Sequence, residues 1–184
     1  MKPFLPALFA LLLTGCGSVV QHGGAVGASL RVARLVLPPF VNATDDEHAG
    51  RALTEITGSA LAEAGIAVFQ TEEAISRTAN DRALGPEGRY GEVARSVNAS
   101  HLLIGTVHEY RYKTDLNGDP AVGVTLRVVE AATGQTVWQA TSANVGPGFA
   151  SLTAAGRKAV RALVEQMPVT GNRLRRDAGT PAGR

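Results

Sequence analysis

The chain contains one cysteine, Cys16, and it stands at the end of a short apolar run in LLLTGCGS, residues 11–18. Without a second thiol no intrachain disulfide can form, so any fold this sequence adopts is held by its apolar core alone. The apolar run, residues 3–13, is 11 residues long, whereas crossing a bilayer as a helix takes about 20. Lys2 before it and small residues after it give it the shape of a secretory signal that is removed on maturation.

An ordinary secretory signal ends at a small-x-small site and needs no cysteine. Leu13-Thr14-Gly15-Cys16 resembles the bacterial lipobox. In that motif the thiol takes a diacylglycerol, cleavage falls just before it, and the new amino group is acylated. The resemblance makes residues 1–15 a lipoprotein signal peptide and Cys16 the lipid-attachment site. One acyl chain holds a protein only marginally, at about 0.8 kcal/mol per buried methylene, so several chains on one residue anchor it firmly. Residue 17 is Gly, not the Asp that resembles an inner-membrane retention signal. By analogy the protein is expected on the periplasmic side of the outer membrane.

Maturation leaves 169 of the 184 residues, which suits one domain with flexible ends. Residues 17–29, GSVVQHGGAVGAS, carry four glycines and no charge. With Cys16 they read as a flexible tether over 16–29, with an rms reach of roughly 20 Å. The body, residues 30–168, has thirteen Lys plus Arg against fifteen Asp plus Glu, a net charge of −2. A tail from 169 to 184 adds Arg173, Arg175, Arg176 and Arg184 against Asp177 and reads as disordered. The basic pI therefore owes much to the tail, and the body lacks the electrostatic footprint of a nucleic-acid binder.

Within the body, RVARLVL (31–37) is a β-rich run stopped by Pro38-Pro39. Asp45 or Asp46 can cap a helix running to about Ala64, with Ala49, Leu53, Ile56, Ala60 and Leu61 at helical spacing and Gly65 ending it. IAVFQ (66–70) is a short strand. The polar stretch 71–88 reads as irregular, with one helical turn near 72–76. A second helix over 87–99 presents Tyr90, Val93, Ala94 and Val97. A long strand (101–113) meets another (121–131) across Asn117-Gly118, a hairpin signal, and Thr133-Gly134 turns that strand into QTVWQATSA (135–143). Ser151 is the expected N-cap of a last helix to Met167, which Pro168 stops. The order β-α-β-α-β-β-β-α predicts a single-domain α/β (α+β) fold. Its first strands pair in parallel through crossovers, its last three form an antiparallel meander, and helices pack on the mixed sheet.

Little in the sequence converges on bond chemistry. His101 and His108 are an odd number of residues apart on one strand and point to opposite faces, so they do not form one metal site. GPEGRYG lacks the Lys-Ser/Thr of a phosphate loop and does not follow a strand, and neither HExxH nor GxSxG occurs. We therefore expect no catalytic residues, no metal, no cofactor and no enzymatic activity.

The remaining candidates are surface features. Tyr110 and Tyr112 share one face of the long strand, read as core edge, and Glu109, Arg111 and Lys113 share the other. Arg111, near Asp115 and Asp119, is a candidate for a bidentate ion pair across the hairpin or a subunit contact. Trp138 falls opposite Val128 if the 133–134 turn has three residues and a bulge, which puts it in the core. Phe149, in a Gly/Pro loop just before a capped helix, either rests in a headgroup zone or staples the helix's first turn. Asp45, Asp46 and Glu47 form an acidic cluster that a helix start also explains.

With these residues in view, the body from Val32 to Met167 resembles the PelC family of outer-membrane lipoproteins of Pel exopolysaccharide export. The likeness is strongest in EYRYKTDLNGDPAVGVTLRVVEAATGQTVWQA (109–140) and the SLTAAGRKAVRALVEQM helix. CsgG-type subunits, activators of penicillin-binding proteins and the TolB amino-terminal domain share the βα order more loosely. The resemblance implies a homo-oligomeric ring on the inner leaflet of the outer membrane, around the export barrel of a partner. It also implies aromatics facing lipid and an acidic face guiding a cationic exopolysaccharide in transit. On this sequence those roles fall to Cys16 for the lipid, Phe149 or alternatively Trp138 for the membrane, Arg111 and Asp119 for the ion pair, and Asp45, Asp46 and Glu47 for the acidic face. The competing reading is a monomeric regulatory lipoprotein that activates a cell-wall synthase. Its need to cross the periplasm fits poorly with a 13-residue tether.

Overall fold

The alternation of short apolar strands with amphipathic helices builds one main mixed sheet beside a two-stranded one, seen in a computed structural model that describes residues 19–22, 30–31, 34–70, 86–114 and 117–170. The elements are β1 (Val19–His22), β2 (Leu30–Arg31), β3 (Leu35–Leu37), β4 (Val41–Asn42), α1 (Ala49–Glu63), β5 (Val68–Gln70), α2 (Pro86–Ser96), β6 (His101–Tyr112), β7 (Pro120–Glu130), β8 (Thr136–Val145), α3 (Leu152–Gln166) and β9 (Val169–Thr170). Strand order in the main sheet is β1-β8-β7-β6-β3-β5, with β4 also pairing β6. As the crossover rule requires, β3 pairs in parallel with β5 and β6, while β6, β7 and β8 form the antiparallel meander.

The fold class stands as expected, and several boundaries differ. RVARLVL is not one strand. Its start belongs to β2, which pairs in parallel with β9 (Leu30↔Val169), and only Leu35–Leu37 enters the main sheet. Strand β9 thus lies beyond Pro168. The stretch read as tether contains β1, paired antiparallel with β8. The signal peptide, Cys16, the stretch 71–85, Asp115 and the basic residues from 171 onward lie outside the described residues.

Helix α1 starts later than the acidic residues suggest. Its N-cap is His48, which makes no side-chain cap, because Asp46 accepts the His48 amide at 2.8 Å and so closes the preceding turn. At its other end Gly65 takes φ 74°, with the Gly65 amide bonding the Ala62 carbonyl and the Ile66 amide the Leu61 carbonyl. That is a Schellman end, and the buried pair Leu61 and Ile66 supplies its apolar contact. Asn98 (φ 52°) plays the glycine's part after α2. Ser151 caps α3 by accepting the Ala154 amide at 3.1 Å.

Alternation along β6, β7 and β8 sends Leu103, Val107, Val122, Val124, Leu126, Val128, Trp138 and Ala140 to one face. There they meet Leu53 and Leu61 of α1 and Ala159, Val160 and Leu163 of α3. The other face is covered only in part. Val93 and Ala94 of α2 close over Val36, Leu102, Ile104 and Val129, leaving the part toward the far ends of β6 and β8 open.

Candidate functional site

Three strand ends meet at one end of the sheet. Tyr112 closes the ladder opposite Pro120, Ala121 lies opposite Val145, and the Gly146 amide donates to the Pro120 carbonyl at 2.9 Å. From there the chain turns sharply, the Ala150 amide bonding the Pro147 carbonyl at 2.7 Å, before Ser151 opens α3. Gly148 packs against the backbone carbonyl of Asn117, so closely that a Cβ has no room. The β6–β7 hairpin and the loop before α3 therefore brace each other.

On that braced loop Phe149 is 94% exposed. A staple buries its aromatic on the helix's first turn, so Phe149 is not one. Trp138 is in the core, 2% exposed and opposite Val128 beside a register shift. Its membrane-facing alternative is thereby corrected, because its indole packs against the helices on the inner face. Tyr110 packs inward as expected. Burial pushes its hydroxyl above the ordinary value of 10.0, opposed by a hydrogen bond with Thr153 and reinforced by Asp46 and Tyr112. Tyr112, read as a core-edge residue, is instead 49% exposed, since the sheet ends beneath it.

An open groove of about 1110 Å³ runs beside this end, on the uncovered sheet face. The loop before α1 lines one wall with Asp45, Asp46 and Glu47, and Glu109 and Arg111 of β6 line another. The three acidic candidates are thus brought together with Arg111. Arg111 does not pair across the hairpin with Asp119. Its guanidinium meets Glu109 two residues back on the same strand, Nε at 3.1 Å and Nη2 at 3.0 Å from Oε1. Two residues apart on one strand, Glu109 and Arg111 share a face, and a bulge between Val107 and Glu109 turns both toward the outer face. Asp119 instead offers its backbone carbonyl to the Lys113 amide at 2.8 Å.

One polar array is not evident from motifs. Thr106, Thr125 and Thr141 lie directly opposite one another across β6, β7 and β8. Thr125 Oγ1 bonds Thr141 Oγ1 at 2.8 Å and His108 Nε2 at 2.9 Å. Alternating threonines in adjacent strands are its sole sequence signal, and only the register aligns them. His101 bonds Ser100 Oγ at 2.8 Å on the opposite face from His108. Among the described residues no group of three His, Cys, Asp or Glu side chains is placed to share a metal ion, and no helix is long and apolar enough to cross a membrane.

No protein-family model matches the chain, and no curated protein does. Solved structures do. PelC from Paraburkholderia phytofirmans, crystallised as a dodecamer, superimposes with TM-score 0.68 at 25% identity over 84% of this chain and 99% of that one. The chain has the PelC-like lipoprotein fold. A second crystal form, of a PelC variant dodecamer from the same organism, gives TM-score 0.65 at 26% identity over 82% of this chain and 97% of that one. The fold is also that of lipoprotein GNA1162 from Neisseria meningitidis, with TM-score 0.56 and 23% identity over 73% of this chain and 96% of that one.

Proposed function

We propose that this chain is a non-enzymatic accessory lipoprotein of exopolysaccharide export, of the Pel type. It is anchored by Cys16 on the periplasmic side of the outer membrane and assembled as a homo-oligomeric ring around a partner's export barrel. The observation that carries this reading is a likeness running the whole length of PelC, a protein that forms dodecamers. The lipobox supports it independently.

Physical arguments link the anchor to the ring. Lipid on every copy fixes a shared orientation, so a head-to-tail contact closes in the membrane plane instead of growing a fibre. Confinement to a surface raises effective concentration, so a weak interface suffices. The body charge of −2 is small in one copy and adds up around a ring, giving a cationic polymer a negative field to follow. Asp45, Asp46 and Glu47 contribute to that field from the groove. Arg111 and Asp119 remain our candidates at the contact between copies. Arg111 is 61% exposed at its side chain, and a guanidinium has donors beyond the two that Glu109 engages.

Membrane fractionation of Cys16→Ala tests the anchor on which this function rests. The variant is expected to leave the outer-membrane fraction and to lose polymer export. Retention of the variant in that fraction contradicts the lipid-anchored role.

A further inference from the structure

Beyond α2, toward Tyr112, no described element covers the outer face of the sheet. Its floor is made of small side chains. Gly123 and Ala143 line the groove, and Thr106, Thr125 and Thr141 form a row across β6, β7 and β8. Val41, which pairs with Thr106 and shares its face, is 58% exposed. Small side chains let another backbone approach closely, and an apolar one among them gains by being covered. Asp45, Asp46 and Glu47 wall this surface with negative charge.

The helix layer on the other side of the sheet carries the opposite sign. From Ser151 to Val164 the charged residues are Arg157, Lys158 and Arg161, all exposed and with no acid among them. Over α1 and α3 together, four Lys plus Arg stand against three Glu. Glu63 of α1 engages Arg161 at 3.2 Å, while Arg157 and Lys158 lie nearer the braced end. The two surfaces are also level. Arg157 and Lys158 lie ~9–11 Å along α3 from Ser151. The groove floor spans ~3–20 Å along β6 from Tyr112, at that same end. A flat ring requires this, since contacts offset along the strands would build a helical filament.

We propose that the uncovered sheet face receives the α3 face of a second copy of this chain, head to tail, with Arg157 and Lys158 of one copy set against Asp45 and Glu47 of the next. The inference rests on the ring assembly proposed above and names the surfaces that build it. Two copies meeting by their uncovered faces would set acid against acid, so the charge pattern disfavours a two-fold dimer and favours the repeating contact.

The test uses the full acylated chain, extracted in mild detergent and kept concentrated. Acylation consumes the thiol of Cys16, so introduced cysteines are the sole thiols. Ala143→Cys lies on the uncovered face and Ala154→Cys on α3, both at exposed positions. A short bismaleimide should join chains carrying both cysteines into a ladder of dimers, trimers and larger species. Either cysteine alone should leave monomers on a denaturing gel, because a head-to-tail contact does not bring a position against itself. Asp45→Lys with Glu47→Lys should lower the oligomeric fraction about tenfold or more, as should Arg157→Glu with Lys158→Glu, since each sets like charges face to face. All four changes together reverse both surfaces and should restore assembly, which damage to the fold would not do. An oligomer whose double-cysteine form gives no ladder, a ladder from one cysteine alone, or a folded fourfold variant that stays monomeric overturns the contact. A monomeric unmodified chain overturns the ring itself, which separates the two failures.

Discussion

Ser142 lies on the inner face of β8, fully buried, and its hydroxyl has no hydrogen-bond partner among the described residues. Burying a hydroxyl without a partner costs about 1–3 kcal/mol, and alanine removes that cost while leaving only a small void. Ser142→Ala is therefore expected to raise the urea unfolding free energy by about 1 kcal/mol. A loss of stability would mean that the hydroxyl is satisfied. His101 carries a pH dependence. Burial lowers its pKa from 6.5, and Glu130, its cross-strand partner, opposes the shift without reversing it. A histidine whose folded pKa is depressed favours the neutral form on folding. Its contribution is complete above the unfolded value of 6.5 and is lost as pH falls through the folded one. Thermal melts between pH 7.5 and 5.5 should show a loss of stability on acidification that His101→Gln reduces; an unchanged profile in the variant would contradict it. Arg111 shows where residue-level reading stops. Spacing puts Glu109 and Arg111 on one face of the strand, but the bulge at 107–109 that decides which side of the sheet the pair takes is announced by no residue type.

Among the elements, the long strands and α3 follow from the sequence because their signals agree. Apolar residues alternate, Gly118 and Gly134 take the positive φ their turns need, and Ser151 caps where the helical spacing begins. Elements defined by backbone pairing are less evident. Val19–His22 sits in a glycine-rich stretch with weak alternation, and two-residue strands such as β2 and β9 are too short to show a period. The start of α1 is misread from its acids because Asp46 serves the turn before the helix. Gly105 reports how tightly β6 is packed. A Cβ there would lie 2.5 Å from the ring atoms of Phe40, whose own amide is held by Thr54 Oγ1 at 2.9 Å. With that ring 5% exposed and unable to swing outward, Gly105→Ala should destabilise by about 1–3 kcal/mol in chemical denaturation. A neutral result would show that the Phe40 packing yields.

For the whole molecule, the fold and the anchor motif point to a body that acts through its contacts. The candidate surfaces were only half evident from sequence. Phe149 is conspicuous because an aromatic in a Gly/Pro loop has few packing options, whereas the groove depends on a bulge and a loop conformation that bring Asp45, Asp46 and Glu47 to Glu109 and Arg111. The central claim is assembly, and the native mass of the acylated protein extracted in mild detergent tests it most directly. We predict a discrete closed oligomer of many protomers when the extract is kept concentrated, because head-to-tail contacts between identical copies close on themselves. A monomer at every concentration, with the lipid on Cys16 intact, would contradict it.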